Sequence, residues 1–169
     1  MTERYFPPSE FLQAAIADEI AFGDGPFGEA NLRRLIVATR DSALANRDWA
    51  VMLLSQLELD CPEVRTALTI AANDPVHEVR AEAILGLARL DRGAALPFLS
   101  HELAGDRVSM PLLEAAKIVA APSLLNDLEE FSGPSENTML DELVKDAIVA
   151  CRGDSFGKVD EHRQKPISQ

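Results

Sequence analysis

Aromatic side chains are scarce in this chain, 5% of its 169 residues, and only one of them is a tryptophan. Hydrophobic content nevertheless reaches 47% and comes mostly from Leu, Ala, Val and Ile. That composition suits helices packed closely through small side chains. Cysteine is nearly absent as well: Cys61 and Cys151 are the only two. They fall in different segments, which argues against a disulfide framework and for reduced thiols. Basic residues are outnumbered 16 to 28, giving a formal net charge of −12, and no dense Lys/Arg run occurs. Phosphate backbones are held largely by such runs, so nucleic acid is disfavoured as a partner. No apolar run approaches the roughly 20 residues that a membrane-spanning helix needs. Met1 to Pro8 has no basic segment leading into an apolar core, so a cytoplasmic protein without membrane association is expected.

Catalytic signatures are missing too. The chain has no GxGxxG, no P-loop and no nucleophile elbow, and neither cysteine stands in a motif that would mark a nucleophile. His77, His101 and His162 are scattered, with no two spaced to ligate one metal from one helical face. No cofactor and no metal are expected. Glu78 with Glu82, and Asp141 with Lys145, are helix neighbours that fit a solvated face.

What the chain does have is a repeat. Leu35, Val37, Ala38, Asp41, Arg47, Ala50, Leu54 and Leu57 recur 33 residues later as Leu68, Ile70, Ala71, Asp74, Arg80, Ala83, Leu87 and Leu90. A fixed step of this size marks a small supersecondary unit that cannot bury its apolar face alone and must stack. Periodicity and punctuation predict helices throughout. A leading helix runs from the N-cap Ser9 to about Phe22, with Phe11, Ala15, Ile16 and Ile20 on one face. After the glycine-rich loop 23–28, helices are predicted over 29–39, 42–59, 63–72, 76–90, 94–103, 109–121, 123–131 and 138–151. Asp74 and Pro75 are read as the cap and first position of a helix. Residues 153–169 lack an apolar period and are read as a disordered tail.

Asp74 to Leu90, DPVHEVRAEAILGLARL, followed by DRGAALPFLSHEL, resembles a HEAT repeat, particularly the short variety first noted in phycobilin lyase subunits. Asp, then Val-Arg, then Ala, then Leu-Gly-Leu stand at the expected places. Residues 35–57 keep the Asp41 to Arg47 spacing, the third unit keeps Asp106 but has Leu112 where Arg is expected, and the fourth retains only apolar spacing. The resemblance covers about residues 28–152. It implies an all-α fold, a right-handed α-solenoid of about four HEAT-like helix pairs, led by an N-terminal helix and loop over residues 1–27.

The same positions have a physical reading. Asp41 and Asp74 suit helix starts, and Arg47 and Arg80 can reach the Asp of a neighbouring turn, so these four are expected to be structural. Ala50, Ala83 and Gly86 are small where helix backbones approach. The resemblance further implies that the second helix of each pair lines a concave side. Beside the core stripe the candidate partner-binding residues are Trp49, Met52 and Gln56 on the first such helix. Glu82, Leu85 and Arg89 follow on the second, and Glu114 and Lys117 on the third. Trp49 aligns with Glu82 and, if solvent-facing, has the composition of a protein-contact anchor together with Met52; alternatively it packs against the leading helix.

A non-enzymatic protein-interaction module, an adaptor, scaffold or inhibitor, follows as the favoured function. Its partner would be another protein, a basic one being suited to the acidic surface; neutralising a basic nuclease would be a special case. The alternative is an enzyme or enzyme subunit of the bilin-lyase-like HEAT class, with Trp49, Met52 and Leu85 lining an apolar cleft. Oligomeric state stays open.

Overall fold

The computed structural model describes residues 5–153, and every regular element among them is helical: α1 (Glu10–Ile16), α2 (Pro26–Ala38), α3 (Leu44–Gln56), α4 (Pro62–Ala71), α5 (His77–Leu90), α6 (Arg92–Leu103), α7 (Met110–Val119), a 3-10 turn (Pro122–Leu124), α8 (Leu125–Glu130) and α9 (Thr138–Arg152). The tail expected after Gly153, with His162, lies outside the described residues.

Helix α1 is shorter than its apolar period predicts. Ser9 caps it through Leu12 N–H, but Asp18 adopts φ 57°, with Asp18 N–H donating to the Ala15 carbonyl and Glu19 N–H to the Ala14 carbonyl. That paired pattern is a Schellman stop, so Ile20 and Phe22 leave the helix. Phe22 instead folds back edge-on to Phe11, ring centroids 6.3 Å apart. The loop then passes so close to α2 that a Cβ on Gly28 would lie 2.5 Å from the Gly23 carbonyl oxygen.

Contrary to the expectation from the sequence, Asp41 and Asp74 do not cap helices directly. Each accepts from the backbone N–H two residues on, Ala43 at 2.8 Å and Val76 at 2.9 Å, making an Asx turn that aims the chain into the helix. The helices α3 and α5 accordingly begin later, at Leu44 and His77. Direct side-chain caps come from Asp91 at α6 and Asn137 at α9.

The helices pair in chain order, α2 with α3, α4 with α5, α6 with α7 and α8 with α9, while the second members pack side by side in the succession α3, α5, α7, α9. The first members touch less, α2 on α4 and α6 on α8. Helix α1 lies on α3. Helix α5, flanked by α3 and α7 and backed by α4 and α6, is buried at every position from Ala83 to Ala88. Such all-round burial needs small residues. A Cβ on Gly86 would stand 2.8 Å from Ser55 Cβ and 3.1 Å from Leu68. Leu112, which replaces the Arg of the repeat, is fully buried.

Ionic ties run between units. Arg47 Nε donates to Asp74 Oδ2 at 2.9 Å and Arg47 Nη1 to the Asp41 carbonyl at 3.0 Å. Arg80 repeats the second contact on the Asp74 carbonyl at 2.9 Å, but its carboxylate partner is Glu102 of α6, at 2.7 and 3.1 Å. Burial pushes the Glu102 carboxyl up, and the Arg80 hydrogen bonds and charge, with His77, more than offset this and hold it below the usual range. Arg65 bridges Asp60 and Asp91.

Candidate functional site

Because α3, α5 and α7 lie side by side, residues just outside their shared core form a strip. Trp49 and Met52 are half-buried there and Gln56 is exposed; Glu82 and Arg89 are half-buried; Glu114 is exposed and Lys117 half-buried. Leu85 does not belong to the strip: it is 4% exposed. The reason is that α5 is flanked on both sides, so its buried arc is wider than the stripe of a surface helix and takes in position 85.

Trp49 is not a solvent-facing anchor. The indole N–H donates to the Tyr5 carbonyl at 2.9 Å and the ring stacks on Phe6, centroids 6.2 Å apart and planes 27° from parallel. The segment before α1 thus covers Trp49. Ser9 N–H fixes that segment by donating to the buried Asn46 side chain at 3.1 Å.

The remainder of the strip is electrostatic. Arg89 donates to the Ser55 carbonyl at 3.1 Å and stands 4.0 Å from both Glu58 and Glu114. Lys117 reaches Asp146 of α9 at 2.9 Å, and Arg107 reaches Glu78 at 3.3 Å. Asp48 and Glu82 differ from these carboxylates: neither has an ion pair or hydrogen bond among the described residues. Burial raises the Asp48 carboxyl above its usual range, helped by Glu78 and Asp74. Burial likewise raises Glu82, with Asp48 and Glu114 adding repulsion and Arg89 opposing it. Two half-buried carboxylates on the neighbouring helices α3 and α5 therefore have no ion pair to offset their desolvation, Arg89 offsetting that of Glu82 only in part.

Sequence reasoning overlooked Asp48, Arg107 and Asp146, and read Glu78 only as part of a solvated face with Glu82. Two of them carried a signal: Glu78 is one turn before Glu82, and Asp48 one turn before Met52, so each shares a face with a residue singled out. Arg107 precedes α7 and Asp146 lies in the unit whose repeat had faded, so neither had a template.

Other places hold less chemistry. An open cleft of about 410 Å³ between the 23–24 loop, α2 and the start of α4 includes Cys61. Burial raises the thiol of Cys151 above its usual range, the opposite of nucleophile activation. Among the described residues there is no group of three or more His, Cys, Asp and Glu side chains that could hold a metal ion, and no helix is long and apolar enough to cross a membrane.

No protein-family model matches the chain, and no curated protein does. Among solved structures it is similar to the X-ray structure of the Escherichia coli protein YibA, with 25% identity and a TM-score of 0.63 over 87% of this chain. The chain spans half the length of that protein.

Proposed function

We propose that the chain is a right-handed HEAT-like solenoid that binds a basic segment of a partner protein along the strip formed by α3, α5 and α7, on its concave side. The HEAT reading is supported by the 33-residue repeat, by helices that pair in order, and by second helices that pack in succession. The observation that carries the function is the unpaired couple Asp48 and Glu82. Leaving two carboxylates half-buried without an ion-pair partner is unfavourable to the free protein. A Lys or Arg side chain arriving between them relieves that cost and gains charge-assisted hydrogen bonds. Gln56 and Glu114 extend the polar surface on either side, and the paired cations Arg89 and Lys117 bound it.

The enzymatic alternative required an apolar cleft lined by Trp49, Met52 and Leu85. With Leu85 in the core and Trp49 under Phe6, only Met52 is left to line one. This favours the binding reading.

The test is affinity capture from the native lysate with the unchanged protein and with an Asp48→Lys, Glu82→Lys variant shown to be folded by circular dichroism. A protein retained by the first and lost by the second supports the proposal. Equal retention by both, or capture of a small molecule without a protein, overturns it.

A further inference from the structure

In a stack of repeats a helix face that meets no neighbour is kept from associating by a polar surface. Helix α2 does not follow that rule. Its outward stripe is Phe27, Ala30, Arg34 and Val37, spaced i, i+3, i+7 and i+10, with Phe27 85% and Val37 73% exposed. Helix α1 lies on α3 and meets this stripe at Arg34, through the Phe11 ring, while Phe27 and Val37 stay exposed. Beside it runs an open groove of about 700 Å³ between α1 and α2, floored by Phe11, Ile36 and Val37 and rimmed by three arginines, Arg33, Arg34 and Arg40, against one carboxylate, Asp41. Most arginines elsewhere in this acidic chain are tied to carboxylates. Here Arg34 is committed only to the Phe11 ring, 4.1 Å from its centroid, Arg40 has no partner among the described residues, and Arg33 has only an exposed contact with Glu29 at 3.8 Å. The face is apolar and cationic, so it fits an apolar, anionic helix.

The opposite end of the chain presents one. Helix α9 turns Leu140, Val144, Ala147, Ile148 and Cys151 inward, and its outward stripe is Met139, Glu142, Asp146 and Val149. The spacing is again i, i+3, i+7 and i+10. Met139 is 61% exposed, Glu142 and Asp146 are exposed and Val149 half-buried; Lys145 lies at the edge. Nearby Asp127, Glu130 and Glu136 add to the negative charge of this end.

We infer that the α2 face is a docking site for a second copy of this chain, which seats its α9 stripe there. Met139 and Val149 meet Phe27 and Val37, and Glu142 meets Arg34 and its neighbours, joined by Asp146, whose Oδ2 also accepts from Lys117 at 2.9 Å. In a pair joined this way one copy keeps a free α2 and the other a free α9, so the contact is heterologous and extends head to tail. One helix face on each side falls short of the roughly 800 Å² per partner of a standard stable interface, so the association is weak and grows with concentration. At about 0.15 M salt the Debye length is about 8 Å, so contact pairs outweigh the mutual repulsion of two acidic molecules.

Sedimentation velocity tests this with the full chain, from about 5 to about 500 µM, a range that brackets a weak contact. Two variants at exposed positions, Val37→Asp and Met139→Asp, are run alone and mixed, each with its thermal melt as a check on folding. The expected result is a mass for the unchanged protein that climbs from 18.4 kDa past twice that value without a plateau. Each variant alone stays monomeric, and their equimolar mixture gives a dimer and nothing larger, because one supplies α9 and the other α2. A protein that is monomeric throughout, a plateau at the dimer, or dissociation by only one of the two substitutions overturns the inference.

Discussion

Arg47 and Asp74, 27 residues apart in sequence, meet at 2.9 Å, with side chains 16% and 10% exposed. Asp74 meanwhile accepts from Val76 N–H, and Arg47 reaches back to the Asp41 and Ser42 carbonyls. One ion pair thus joins the turn before α3 to the turn before α5 and sets the register between two units. Arg47→Ala strands a nearly buried carboxylate and two carbonyl acceptors. A loss of about 3 kcal/mol is expected, read by urea unfolding at pH 7. A loss under about 0.5 kcal/mol, the size of a plain surface substitution, would show that the tie does not hold the units together.

Gly86 offers a separate test of how closely the second helices approach. In a helix interior Ala is favoured over Gly by up to about 1 kcal/mol. At this position the added methyl meets Ser55 Cβ at 2.8 Å and both Leu68 methyls at 3.1 Å, in a fully buried wall with no solvent side to move toward. Overpacking of that kind costs about 1–3 kcal/mol and outweighs the propensity gain. Gly86→Ala is expected to lower the thermal midpoint, whereas Gly133→Ala, where a Cβ meets nothing within 4 Å, leaves it nearly unchanged.

The helical content and the pairing of helices were legible because they are written as periods: the 33-residue step, the small residues of α5 and the Asp to Arg spacing all have local signatures. The Asx turns at Asp41 and Asp74 displaced the helix starts because an Asp can accept from an N–H two residues on as readily as it caps a helix. The strip was legible in Met52, Gln56, Glu82, Arg89, Glu114 and Lys117. It was not legible in Leu85, whose burial depends on two flanking helices. Nor was it legible in Trp49, whose cover comes from Tyr5 and Phe6, 44 and 43 residues earlier. No local pattern encodes such a distant contact.

Trp49 is the only tryptophan, so its emission reports on that cover alone. Removing the N-terminal segment through Phe6 strips away the Tyr5 carbonyl and the Phe6 ring and leaves Ser9 in place to cap α1. A red-shifted emission maximum and faster quenching by acrylamide are expected, with circular dichroism unchanged. Phe6→Ala, which keeps the backbone carbonyl that Trp49 bonds, is expected to fall between the two. If the truncated chain shows the emission of the intact one, the indole is covered by something other than residues 5 and 6.

Asp48 and Glu82 make the strip's chemistry visible in stability alone. For both groups burial raises the folded carboxyl above its ordinary position, so in the region of that titration the native state binds more protons than the unfolded chain. Stability then falls as pH rises. Below about pH 4, the ordinary range of free carboxyls, both states are protonated and the penalty is absent; above the raised folded values it is fully present. Asp48→Asn with Glu82→Gln removes charge but keeps shape. The double variant is expected to match the unchanged protein near pH 3.5 and exceed it in stability at pH 7, with the difference opening between those limits in parallel urea titrations. It is expected at the same time to lose affinity for the basic partner. Greater stability with weaker binding distinguishes a surface held in an unfavourable state for a ligand from one that is only well solvated, since substitution of a solvated carboxylate changes neither.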